Sequence, residues 1–163
     1  MKRSYFVAVF ILLTACNQKK HPSVPLIKFR QAFLDSIINK SDTFYTKPYK
    51  RPDFVTADYY RLKDSSLVQV MRDSTKQVRQ VLISRRNTRV YLAQYYANGQ
   101  LMADLKTDEY GQFDGPAIYY YEDGSVQRKG NYAHGFSTGD WKEYDKNGEM
   151  KIVKFDAKGT RLN

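Results

Sequence analysis

The chain has 163 residues, 42% of them apolar and 15% aromatic, with a formal charge of +10. That much apolar side chain excludes wholesale disorder, and the length allows one domain with its own core rather than two large ones. A single cysteine excludes an intramolecular disulfide, and with only two histidines a zinc site made of Cys and His alone would need all three plus another ligand.

Lys2 and Arg3 precede a nine-residue apolar run from Tyr5 to Leu13, followed at once by Thr14, Ala15 and Cys16. A membrane-crossing helix needs about 20 apolar residues, so the run reads as the core of a signal peptide over residues 1–15. Leu13-Thr14-Ala15-Cys16 resembles the lipobox of bacterial lipoproteins. The resemblance implies cleavage before Cys16 and acylation of that residue. Cys16 is then a lipid tether rather than a nucleophile, and its partner is the membrane of a bacterial cell envelope. The face is expected to be periplasmic, since no acidic cluster follows the cysteine. The other reading is an ordinary secreted chain, cut after Ala15, with a leftover thiol. Residues 16–25 read as a polar, lipidated linker.

Residues 17–93 carry 16 basic and 6 acidic side chains, whereas residues 94–163 carry 9 basic and 11 acidic. The excess charge therefore sits in the first half, most densely at Lys76, Arg79, Arg85, Arg86 and Arg89. Nucleic acid is not the expected partner of an exported chain; the charge reads as solvated surface near an anionic envelope. From residue 26 to 40, Leu26, Phe29, Phe33, Leu34, Ile37 and Ile38 recur at helical spacing, which predicts an amphipathic helix packed on a sheet or, alternatively, lying on a membrane. Two prolines between Thr46 and Pro52 predict a connector, so that 26–57 is helix and connector and 58–163 is the β domain. Within it, Leu67 to Met71, Val78 to Ile83 and Val90 to Tyr96 read as strands separated by polar turns.

The tyrosines fall into a repeat. Residues 92–99, 117–124 and 141–148 align at offsets of 25 and 24, placing Tyr95, Tyr120 and Tyr144 in one column. Gly99, Gly124 and Gly148 form a second column, and Leu101, Val126 and Met150 a third; Gly115 matches Gly139. Asn98-Gly99, Asp123-Gly124 and Asn147-Gly148 are turn dipeptides, expected to form tight hairpins with positive φ at both central residues. Consecutive copies then build a mainly β fold, a single-layer antiparallel meander of hairpins after one N-terminal helix.

Over about residues 91–160, and best in Gly130-Asn131-Tyr132-Ala133-His134-Gly135 and Gly139-Asp140-Trp141-Lys142-Glu143-Tyr144, the pattern resembles MORN-variant repeats of bacterial proteins labelled antitoxin-component-like. The resemblance implies a repeat sheet used for protein binding or scaffolding. The first copy departs from it, with Leu105 and Thr107 where Gly130 and Tyr132 stand, and with Leu92 and Ala117 in the column of Trp141.

No chemistry is expected. His134 is near Asp140 and Glu143 in sequence, but no second histidine lies nearby, and no phosphate loop or nucleophile motif is present. The chain is read as a non-enzyme without metal or cofactor. The expected function is an envelope lipoprotein that binds an unidentified protein, with Tyr95, Tyr120, Tyr132, Trp141 and Tyr144 as the candidate binding face. An antitoxin or immunity role, and binding of anionic lipid or polymer through the basic half, are the alternatives.

Overall fold

A computed structural model of the chain describes residues 31–51 and 53–162. The signal peptide, Cys16, the linker and residues 26–30 of the expected helix lie outside the described residues. Helix α1 (Gln31–Ile38) leads into β1 (Ser41–Arg51), β2 (Phe54–Leu62), β3 (Leu67–Arg72), β4 (Val78–Arg85), β5 (Thr88–Tyr95), β6 (Leu101–Lys106), β7 (Gly115–Tyr120), β8 (Val126–Ala133), β9 (Phe136–Tyr144) and β10 (Met150–Phe155). All ten form one antiparallel sheet whose order in space is the order in sequence.

Residues 46–51 of the expected connector instead form the second half of β1. Pro48 pairs with Thr56 of β2, and β1 is the sheet's edge. An edge strand has one side on which a missing N–H costs nothing, so proline is tolerated there. The stacked pairs Phe44–Tyr60 and Tyr45–Tyr59 hold β1 from both faces, with ring centroids 4.9 and 4.8 Å apart.

Because neighbouring side chains on a strand point to opposite faces, the sheet has two cores. One face buries Tyr60, Val68, Val70, Val81, Ala93, Tyr95, Leu101, Tyr120 and Val126, and α1 covers it with Leu34 and Ile37. Phe33 and Ile38, also in the predicted helical stripe, stay exposed. The other face buries Leu92, Ala103, Leu105, Ala117, Trp141 and Val153.

The expected tight turns exist, but at other places. Arg86-Asn87 and His134-Gly135 have positive φ at both residues and join β4 to β5 and β8 to β9. At the Asn-Gly and Asp-Gly sites only the glycine has positive φ. There the hairpin closes through three residues. The Gly99 N–H donates to the Tyr96 carbonyl, and Tyr96 N–H to the Gln100 carbonyl, a turn followed by a left-handed residue. The same pair of bonds recurs in the loops Tyr121–Ser125 and Asp145–Glu149. Wider turns need only one residue free of Cβ strain, so Asn98, Asp123 and Asn147 keep ordinary backbone and use their side chains or their neighbours' differently.

Loops of identical bonding close Leu62–Ser66, Asp73–Gln77, Asp108–Gln112 and Asp156–Thr160. Each of the seven is capped by a carboxylate or amide oxygen. Asp73, Asp108, Asp145 and Asp156 cap from the first position, accepting the N–H groups two and four residues on; Asp64, Asn98 and Asp123 cap from the middle. The Ser66 and Thr160 N–H groups hold the carboxyls of Asp64 and Asp156 below their ordinary range. At Asp73 burial works the other way, but hydrogen bonds from Thr75 and Gln77 outweigh it.

The loop Asp73–Gln77 places Lys76, at φ 65°, where Gly99, Gly124 and Gly148 stand in later copies. A side chain in this region costs about 1–2 kcal/mol, offset in part by the stiffer unfolded chain. Lys76→Gly should therefore be neutral or stabilising by up to about 1 kcal/mol, whereas Gly124→Val or Gly148→Val should lower the melting temperature by several degrees. Thermal denaturation of the three variants checks the loop assignment.

Candidate functional site

The loops after β3, β5, β7 and β9 line one end of the sheet, and each of the first three is fastened to the following copy. Arg79 Nε donates to the Tyr95 carbonyl at 3.1 Å, Tyr96 Oη to the Tyr120 carbonyl at 2.8 Å, and Tyr121 Oη to the Tyr144 carbonyl at 2.8 Å. The three acceptors are the tyrosine column read from the sequence. Asn98 adds a bond from its Nδ2 to the Glu122 carbonyl at 3.0 Å. Carbonyls near a sheet end would otherwise rely on water, so these donors tie loop to loop while satisfying backbone groups.

Between fastened loops lie grooves. One of about 610 Å³ is lined by Tyr121, Arg128, Glu143, Tyr144, Met150 and Lys151 among others, between the loops Tyr121–Ser125 and Asp145–Glu149. A smaller one of about 380 Å³ adjoins it, among Tyr96, Tyr121, Glu122, Asp123 and Lys146 of three successive loops. The groove walls are mixed in charge: Lys151 pairs with Glu143 at 3.0 Å, and the Arg128 guanidinium stacks over Tyr119 at 4.1 Å and Trp141 at 5.2 Å from the ring centroids.

The five aromatic residues expected to form a binding face are packing residues. Tyr95, Tyr120 and Trp141 are buried, and Tyr132 and Tyr144 are half-buried. Trp141, 1% exposed, meets Tyr132 edge-on at 5.0 Å and donates from Nε1 to the Asn131 carbonyl at 3.2 Å. Tyr119 and Tyr132 join through their hydroxyls at 3.0 Å, and burial together with that neighbour pushes the Tyr119 phenol up to about 12. Burial, with Asp104 close by, likewise pushes Tyr95 up to about 12. The sequence alone could not decide this, because an aromatic column at strand spacing has the same pattern whether it faces a core or a partner.

Leu92, Ala117 and Trp141, aligned across the copies, share one core. Leu92 pairs with Leu105 and Ala117 with Gly130. The indole of Trp141 lies against Gly130 so closely that a methyl group there would fall inside the ring. The leucine pair of the first copy thus gives way to Ala117 and Gly130 in the second, and that bare glycine takes the indole of Trp141 from the third. Gly130 was recognised as part of the repeat pattern; its reason is close approach, and it does not have positive φ. Gly115 and Gly139 do, at 88° and 65°, with open space where a side chain would stand.

His134 sits at the turn into β9, with Nδ1 3.1 Å from Asp108 Oδ2 and its N–H toward Asp114. Glu143 lies near the other end of β9, so the sequence neighbours of His134 do not join it. Among the described residues, no three His, Cys, Asp or Glu side chains gather as metal ligands would.

Residues 113–134 and 137–155 match the MORN repeat variant family. The two matched segments correspond to the loop, strand pair and aromatic core just described, and MORN repeats are generally binding and scaffolding modules. No curated protein and no solved structure is significantly similar to the chain.

Gly130→Ala should lower the melting temperature by about 5 °C or more, as overpacking of a rigid ring costs on the order of 1–3 kcal/mol. The double variant Gly130→Ala with Trp141→Leu should lose less than the sum of the two single changes, because the smaller side chain gives the methyl room. Additive losses would contradict the direct contact.

Proposed function

We propose that this chain is a non-enzymatic lipoprotein of the bacterial cell envelope, tethered through acylated Cys16, whose repeat sheet presents its row of fastened loops to a partner protein. The observation that supports this reading is the pair of adjoining grooves, of about 380 and 610 Å³, which share Tyr121 and together run along three successive loops of the row. Loops already bonded to their neighbours lose little conformational entropy on binding, which favours a scaffold surface. The tyrosine rings contribute as the walls that hold the loops, and the contact groups are the loop-tip side chains Glu122, Lys146 and Glu149.

A photoreactive group at Glu122 or at Lys146 should capture the same membrane protein in intact cells, whereas one at Lys63, at the opposite end of the sheet, should not. Equal capture from both ends, or none from the loop row, would overturn the assignment. Cys16→Ser should move the protein from the membrane fraction to the soluble one, since two or more acyl chains give stable anchoring and polar surface contacts alone do not.

A further inference from the structure

The chain has two Asn-Gly dipeptides, Asn98-Gly99 and Asn147-Gly148, at the same place in equivalent loops of the row. Both glycines have positive φ, 81° and 85°, and both donate their N–H to the carbonyl three residues back. Both asparagines are exposed. Their side chains, however, are held differently.

The Asn98 amide is tied at both ends. Oδ1 accepts the Gln100 N–H at 2.9 Å, and Nδ2 donates to the Glu122 carbonyl of the next copy at 3.0 Å. In the later loop the first position holds Asp145 instead of Tyr96, and Asp145 Oδ1 takes the N–H groups of Asn147 and Glu149 at 2.8 and 2.9 Å. The N–H that would hold the Asn147 side chain, as Gln100 holds Asn98, is thereby already engaged. β10 is the last described strand of the sheet, so no further loop of the described row stands beside Asn147 to offer a carbonyl as Glu122 does. Among the described residues the Asn147 side chain has no partner.

We propose that Asn147 is a site of spontaneous deamidation and isomerisation, and that its bonds protect Asn98 from the same reaction. When the turn opens and the Gly148 nitrogen gives its proton to solvent base, that nitrogen attacks Cγ of Asn147. An N–Cγ bond forms, the Cγ–Nδ2 bond breaks, and the amide takes up a proton and leaves as ammonia, closing a succinimide ring. Water then opens the ring at either carbonyl. Attack at the side-chain carbonyl gives aspartate, and attack at the backbone carbonyl gives isoaspartate, in which the chain runs through Cβ. The net change is one water consumed and one ammonia released. Glycine, having no Cβ, obstructs the approach least, and asparagine is among the thermolabile side chains. At Asn98 the same step requires breaking the Gln100 and Glu122 bonds as well as the turn bond, so the reactive opening is rarer.

The product alters the loop row. Asn147 stands between Lys146, which lines the smaller groove, and Glu149, which lines the larger. Either product adds a carboxylate there, and isoaspartate also lengthens the loop backbone by one carbon. The reaction itself does not depend on the function proposed above.

The protein is incubated folded at neutral and at mildly alkaline pH and sampled by peptide mass spectrometry that resolves asparagine, aspartate and isoaspartate, beside a sample in denaturant. In the folded protein Asn147 should convert about tenfold or more faster than Asn98, faster still at the higher pH, with isoaspartate among the products. In denaturant the two sites should convert at similar rates, since glycine follows both. N147Q should remove the folded-state signal at that site and keep a melting temperature close to that of the parent. Conversion of Asn98 as fast as Asn147 in the folded protein, the same disparity in denaturant, or no conversion at Asn147 in the folded protein while it proceeds in denaturant would overturn the proposal.

Discussion

The bond on which the rest of the sheet depends is the one that crosses from each loop into the next copy. A hairpin alone is marginal in water, and in a meander each strand touches only its two neighbours. Backbone ladders join the strands but do not fix how successive loops stand relative to each other. That is done by Arg79, Tyr96 and Tyr121, each donating to the carbonyl of the column tyrosine in the following copy. The hydroxyl lies at the end of a rigid ring with few rotamers to lose, so a tyrosine makes a low-entropy strut. Arginine serves in the earliest copy and also pairs with the capping Asp73 at 3.3 Å, linking loop closure and loop spacing in one side chain.

Packing obeys the same economy on both faces. The helix-side core mixes aliphatic side chains with Tyr60, on the strand that α1 contacts, and with Tyr95 and Tyr120 further along the sheet. The opposite core grows more aromatic along the chain, from Leu92 with Leu105 to Trp141 over Gly130. A ring that fills more volume allows one layer of sheet to exclude water without a second layer. Arg89 over Phe113 and Arg128 over Tyr119 and Trp141 extend that cover with guanidinium planes, which are weakly hydrated and stack on rings.

Much of this was legible in the residues. Alternating apolar runs and turn dipeptides at a period of 24 to 25 residues led directly to the hairpin meander, because the turn glycines mark each return of the chain. The strands over 59–90 do not align with the later copies by sequence because Lys76 occupies the left-handed position where a glycine would mark the loop, while Asp73 supplies the cap. Strand β1 was hidden by Pro48, a residue whose cost depends on whether the strand is at an edge, which is a fact of tertiary structure. The turn width was misjudged because Asn-Gly suits both two-residue and three-residue loops. Burial of Tyr95, Tyr120 and Trp141 was open in the sequence for a similar reason: alternation tells which side chains share a face, not what covers it.

The functional surface follows from the struts. If hydroxyl donors set loop spacing, they also set the shape of the grooves between loops, and losing one should loosen the copies beyond it. Native-state hydrogen exchange of Tyr121→Phe tests this most directly. Removing one hydrogen bond is worth on the order of 1 kcal/mol, so amides of β9 and β10 should exchange about fivefold faster while those of β3 to β5 keep their protection. Uniform change along the sheet, or none in β9 and β10, would contradict the account.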